Sequence, residues 1–379
     1  MDISFKLDPE TIVGPDTISR AGTICARYGN RILIAADDET EPQSINRLKG
    51  ILEDSGIDAI VFDGISAETG AEMAENITEL CRAARCTAVI GFGGLKTQAI
   101  ARMTAIIAPG RIRIYDLLDG GKIENPFLPY IAIPTSGADV FMFTGYFAAV
   151  DPRDRLVKLL KSPDKLCAAA IIDSGLSYSP SEKHGAAAVF DGLCVSLEAY
   201  CSTRANFFSD ALLEQAISLY ATMLKSGPGG ADDASTQACT QAGFLASLGS
   251  AVSSPGIGAA LSYSISGRFP VKKSLISAVL LPFIMERLVA ARPEKMARAS
   301  ALLGEAAEGA SVAEAANSAV EGVRRYMAAL QVPSQLREFG LSLDRLAAAA
   351  DAARNLEFTA FTPWTVSAED VFEILKQAF

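Results

Sequence analysis

The octapeptide VIGFGGLK, residues Val89–Lys96, runs from a short apolar strand through Gly93 and Gly94 and leads, past Leu95, into a helix from about Thr97 to Ile107. Such a turn leaves bare backbone N–H groups at a helix N-terminus, where they can meet a pyrophosphate, and Lys96 adds positive charge. Two glycines serve equally well as a tight strand-to-helix turn with no ligand, so the flanking pattern has to decide. Upstream, RILIAA (Arg31–Ala36) reads as a strand ending on Asp37 and Asp38, followed by a helix in INRLKGILEDSG. A second strand at Ala59–Phe62, a helix over Thr69–Arg85 and a third strand at Thr87–Gly91 complete the approach to the glycines. Downstream, the strand Tyr130–Pro134 delivers Thr135, Ser136 and Gly137 to the same sheet edge. Tyr146–Asp151 and Ala168–Asp173 read as two more strands, joined by the basic segment Arg153–Lys165. Its Lys158 and Lys161 are either solvated surface or substrate-facing.

Strands alternating with helices across short turns predict a parallel α/β sheet with right-handed crossovers, and a nucleotide site at the C-terminal strand ends. Asp37 or Asp38 would accept hydrogen bonds from an adenosine ribose and repel a 2′-phosphate, which tilts the cofactor toward NAD over NADP. Lys96 and Arg102 pull the other way. After Asp173 the period changes from two to 3.6 and the chain reads as helical almost throughout. The expected domains are therefore an α/β dinucleotide-binding domain over 1–175 and an all-helical domain over 176–379, with a cleft between them. GPGG at Gly227–Gly230 and the Pro255–Gly258 segment read as breaks, the second inside a Ser- and Gly-rich stretch, Ser253–Gly267.

One helical segment stands apart. GAAAVFDGLCVSLEAYCS, Gly185–Ser202, carries Asp191 and Glu198 seven residues apart among small and apolar side chains, so the two share a helix face. Buried as bare charges they would cost several kcal/mol, so a cation or donors should sit opposite. The alternative is a solvated or locally paired role for both.

The totals narrow the function. The chain has 379 residues and a net charge of −10, which disfavours nucleic acid and anionic membrane as partners. The longest apolar run, Ser274–Met285, ends in Glu286 and Arg287, and reads as a buried helix rather than a span. The start MDISFKLDPE shows no secretory pattern, and seven scattered cysteines without a CxxC pair suggest reduced thiols and a cytoplasmic protein. The single histidine, His184, excludes a multi-histidine metal site.

Several stretches together resemble the iron-containing alcohol dehydrogenase family, relatives of glycerol dehydrogenase and dehydroquinate synthase. VIGFGGLKTQAIAR is similar to its pyrophosphate loop, and IAIPTSGADVFMFT to its Ile-Pro-Thr-Thr loop, with Thr144 matching a cofactor-contacting threonine. AAAIIDSGL resembles the strand that closes the first domain, VFDGLCVSLEAYCS the helix bearing the first metal ligand, and VPSQLREFGLSLDRL and TPWTVSAEDVFEILKQAF two C-terminal segments. The resemblance implies a dehydroquinate synthase-like fold and an NAD(P)-dependent oxidoreductase for a small alcohol or aldehyde. Cofactor contacts would fall on Asp37, Gly93, Gly94, Leu95, Lys96, Thr135, Ser136 and Thr144.

The family binds a divalent metal through one Asp and three His. Asp191 matches the aspartate, but Val195, Ala259 and Lys273 stand where the histidines belong, and Tyr263 replaces a further active-site histidine. Ala99 and Arg102 replace an Asp and a Lys of the glycine loop, and Asp139-Val140-Phe141-Met142 replaces Thr-Gly-Ser-Glu. The resemblance with these departures implies no tightly bound transition metal. It suggests instead an ammonium from Lys273, or its neighbour Lys272, paired with Asp191, with Tyr263 as proton donor and Lys158 as a further candidate. A catalytically silent ligand-binding homologue and a lyase or cyclase of the dehydroquinate-synthase kind stay open, as does a homodimer.

Overall fold

The computed structural model describes residues 8–66, 70–110, 112–123, 126–135, 137–176, 182–226 and 233–379. The chain forms two compact units, residues 1–136 with 143–178, and residues 137–142 with 179–379. The change of unit falls close to the change of period near residue 175. The hexapeptide Gly137–Met142 belongs with the helices, because the Asp139 amide donates to Ser247 Oγ at 2.9 Å and Phe141 packs on Tyr263 and Phe358.

The first unit holds β1 (Glu10–Gly14), α1 (Ala21–Cys25), β2 (Arg31–Asp37), α2 (Pro42–Asp54), β3 (Asp58–Ile65), α3 (Met73–Ala83) and β4 (Ala88–Gly93). It continues with α4 (Leu95–Ile107), α5 (Ile114–Leu118), β5 (Tyr130–Pro134), β6 (Tyr146–Val150), β7 (Val157–Lys161) and β8 (Cys167–Asp173). Six strands pair in parallel in the order β1-β8-β5-β4-β2-β3. The central strands read as unbroken apolar runs because both faces are covered, and Ile32, Ile34, Ile90, Ile131 and Ile171 sit in one core.

Two features depart from the sequence reading. The five-residue edge strand β1, too short to show a period, pairs only with β8; the carboxylate of Asp173 at the end of β8 accepts from the amides of Asp16 and Ile18 and locks the following turn. The strand β6 stays out of the main sheet and forms an antiparallel ribbon with β7, which lies inside the segment expected to be a basic connection.

The second unit contains α6 (Glu182–Cys201), α7 (Phe207–Ser226), α8 (Asp233–Val252), α9 (Ile257–Arg268), α10 (Lys273–Ala291), α11 (Pro293–Leu303), α12 (Val312–Ala329), α13 (Leu343–Arg354) and α14 (Ala368–Gln377). The helix α6 is buried on every side from Phe190 to Cys201 and packs against α7, α8, α9 and α10, as a helix apolar all round must. By length and composition alone α10 would cross a membrane, yet its apolar residues Leu275 to Leu288 pack inside the helical unit. The break read at Pro255–Gly258 overlaps the joint between α8 and α9, that at Gly227–Gly230 lies outside the described residues, and most of the Ser- and Gly-rich stretch around the former is the helix α9. Its small residues let it bury completely from Ile257 to Ile265, and Ser262 returns its hydroxyl to the Gly258 carbonyl at 2.8 Å. The last helix starts as its sequence predicts, with Ser367 and Asp370 forming a reciprocal capping box.

Candidate active site

The glycine turn is built from the backbone outward. Gly93 takes φ +151°, a conformation L side chains rarely adopt, and a Cβ there would lie 2.2 Å from Asp37 Oδ2. That carboxylate is the turn's clasp: Oδ2 accepts from the Gly94 amide at 2.8 Å and from Thr97 Oγ1 at 2.9 Å, while Oδ1 accepts from Thr40 Oγ1 at 2.7 Å. A ribose could engage only what acceptor capacity remains, so the first task of Asp37 is to hold the turn. Gln98 braces it from below, its Nε2 donating to the Gly91, Gly93 and Ile133 carbonyls. The helix α4 starts at Leu95, two residues before the expected Thr97, so the amides of Leu95 and Lys96 lie in the first turn, where α-helix geometry leaves N–H groups without intrahelical acceptors. A helix N-terminus beside glycines fits a pyrophosphate.

The remaining expected cofactor residues are placed as follows. Thr135 follows β5, its amide donating to the Gly93 carbonyl at 3.1 Å; Ser136 lies outside the described residues. Thr144 uses its hydroxyl on Tyr146, donating to the carbonyl at 3.1 Å and accepting from the amide at 3.3 Å. Arg102 corrects the expectation of a phosphate cation: it is buried two turns into α4, with the rings of Tyr130 and Phe147 5.4 and 5.9 Å from its guanidinium carbon.

In the helical unit α6 presents Asp191 to Lys273, the first residue of α10, with Nζ 2.6 Å from Oδ1 and side chains only 9 and 10% exposed. A cation in the first turn opposes the helix dipole, and burial adds a desolvation cost; the carboxylate offsets both. The ring of Tyr263 on α9 has its centroid 4.9 Å from the same ammonium and 5.3 Å from that of Phe141. Cys194 lies one turn past Asp191 on α6. Its thiol is pushed well above the usual range by burial and then by the charges of Glu198 and Asp191.

Glu198 answers the same burial problem differently. It is 2% exposed and accepts from the backbone amides of Gly256 (3.3 Å), Gly258 (2.6 Å) and Ala259 (2.9 Å) at the start of α9. Burial pushes its carboxyl up to about 7 against the pull of these donors. The expectation that something positive faces the acidic pair thus resolves into one ammonium and one helix N-terminus. The only sequence signal for the second was the Pro-Gly-x-Gly start of α9, since a Cβ at Gly256 or Gly258 would lie 2.7 or 3.0 Å from Glu198 Oε1.

Lys158 lies in the first unit, on β7, 2.7 Å from the fully buried Asp151 and 3.4 Å from Asp119. With Arg153, which also binds both carboxylates, it forms a charge cluster that holds the β6–β7 ribbon. These contacts give Lys158 a structural use.

Two family models match the chain, "Iron-containing alcohol dehydrogenase" over residues 9–174 and "Fe-containing alcohol dehydrogenase family, C-terminal" over residues 185–379. A 1,3-propanediol dehydrogenase of Citrobacter freundii is 24% identical over 97% of this chain and 96% of its own length. An NAD-dependent methanol dehydrogenase of Bacillus methanolicus is 25% identical over 99% of both. The crystal structure of a 1,3-propanediol oxidoreductase superposes over the whole of both chains with a TM-score of 0.92 at 23% identity, and so shares the fold. A six-stranded parallel α/β sheet followed by a helical unit is thus the architecture of both chains. The chain belongs to the iron-containing alcohol dehydrogenase family.

The family's metal does not fit the donors present. Val195 and Ala259 offer no ligating side-chain atom, and Asp191 already meets an ammonium. Among the described residues no group of three or more His, Cys, Asp or Glu is arranged to hold an ion.

Proposed function

We propose that the protein is an NAD-linked oxidoreductase interconverting a small alcohol and its aldehyde or ketone, with the Lys273 ammonium in place of a catalytic metal. The relatives named above are dehydrogenases of small alcohols, and the glycine turn leading into the start of α4 supports a dinucleotide. The bound nicotinamide supplies the hydride donor or acceptor. In the reducing direction the substrate carbonyl oxygen takes a hydrogen bond from Lys273 Nζ, which strengthens as hydride reaches the carbon and charge builds on the oxygen. Tyr263 Oη, closed to water in the free protein, gives its proton to that oxygen, and water entering as product leaves returns it. Asp191 keeps the ammonium charged and aimed.

The observation that carries the reading is the 2.6 Å Lys273–Asp191 pair, because it sets a cation on the side chain the family uses for its metal. The same pair, already closed on itself, also suits a homologue that binds ligand without turnover. Fluorescence titration with NADH and NADPH is the test. Saturable binding with NADH the tighter supports the oxidoreductase, and no binding of either removes it. Turnover in a screen of short alcohols and aldehydes then separates the enzyme from the silent homologue.

A further inference from the structure

Two carboxylates on one helix each hold the start of a different neighbouring helix. On α6, Asp191 binds the first residue of α10 through its side chain, and Glu198, about 10 Å further along the axis, binds the first turn of α9 through three backbone amides. Those two helices carry the two groups that meet in the site, Lys273 and Tyr263, and Tyr263 lies one turn past Ala259 on α9. The separation between the ammonium and the Tyr263 ring, 4.9 Å, is therefore set by the spacing of two side chains on a third helix.

We infer that Glu198 is a positioning residue: by clasping the first turn of α9 it fixes where Tyr263 stands against the Lys273 ammonium. Three observations support more than an ordinary cap. The cap comes from another helix, 58 to 61 residues away in sequence, so it fixes α9 relative to α6 and not merely its own end. The carboxylate is cradled by glycines, and a Cβ at Gly256 or Gly258 would intrude on it. The contact is wholly buried, so no water replaces a lost acceptor and the amides would be left unsatisfied. The Glu198 carboxylate binds the backbone of α9 and feels the Lys273 charge as well, and it positions Tyr263 through α9.

The kinetic arm of the test rests on the oxidoreductase reading; the other two arms do not. Glu198→Gln keeps the shape but replaces one accepting oxygen by a donor, and Gly258→Ala pushes the native carboxylate aside should the first variant fail to fold. In either variant amide hydrogen exchange at Gly258 and Ala259 should quicken by about tenfold or more. The ¹³C ring signal of Tyr263, assigned by its loss in Tyr263→Phe, should move while that of Tyr115, in the other unit, stays. Where wild type turns over, kcat should fall by about tenfold with KM within about twofold, as expected when an interaction matters only in the transition state. Faster exchange with an unmoved Tyr263 signal would reduce Glu198 to a cap and overturn the inference. A wild type without turnover would fail the oxidoreductase reading alone, since exchange and the tyrosine signal still decide this one.

Discussion

Lys273 Nζ lies 2.6 Å from Asp191 Oδ1, both side chains about nine-tenths buried. A pair so placed contributes little net stability over an apolar substitute, but losing one partner leaves a buried charge unpaired. Lys273→Met should therefore lower kcat by about 100-fold or more and cost about 3 kcal/mol of stability. Lys273→Met with Asp191→Leu should regain most of that stability and none of the turnover. Urea unfolding beside steady-state kinetics reads both; unchanged kinetics in the single variant would remove Lys273 from the chemistry.

Tyr263→Phe keeps the ring beside the ammonium and removes only the hydroxyl. Proton transfer by a placed side chain is worth about 100-fold or more, so kcat should drop by that order while the thermal midpoint moves little. A loss of stability with full kcat would make the hydroxyl structural.

Gly93→Ala places a Cβ against Asp37 Oδ2 at a φ of +151°. The clasp between Asp37, Gly94 and Thr97 should open, and NADH affinity should fall by about tenfold or more, with the helical unit's far-UV signal unchanged. Titration by fluorescence quenching checks it, and unaltered affinity would place the dinucleotide elsewhere.

The charge cluster on the β6–β7 ribbon gives a pH prediction. The Arg153 guanidinium, and after it the Lys158 ammonium, hold the Asp151 carboxyl well below the usual carboxylate range despite burial. A depressed folded-state value means the stabilisation is present above the unfolded value near pH 4 and is lost as pH falls below it. Wild type should therefore lose stability more steeply than Asp151→Asn below about pH 4, and exceed it above. Urea midpoints measured from acid to neutral pH read this directly; parallel profiles would contradict it.

Much of the architecture is legible in the sequence because burial on two faces writes itself as unbroken apolar strands, and alternation with helices allows few topologies. What stays hidden is what local pattern does not encode. β1 is too short for a period, and β7 is charged along a ribbon that only pairing reveals. α9 lacks amphipathic contrast because it is buried all round, so its serines and glycines look like a loop. In the site, Asp191 and Glu198 are visible as an acidic pair demanding partners, and Lys273 follows from the family's ligand pattern. The amides of α9 leave only the Pro-Gly-x-Gly start as a trace, since backbone donors carry no residue type, and Phe141 shows only as a departure from the family's loop. Asp37 is found as a polar strand end, but its clasp on Gly94 requires the third dimension.

In the proposed reaction a side-chain ammonium does the work of the family's metal. Its most direct test is elemental analysis of the purified protein paired with turnover before and after exhaustive chelation. The account predicts substoichiometric transition metal and a rate unaffected by chelator or by added Zn²⁺ or Fe²⁺. A stoichiometric ion whose removal abolishes turnover, and whose return restores it, would contradict the account.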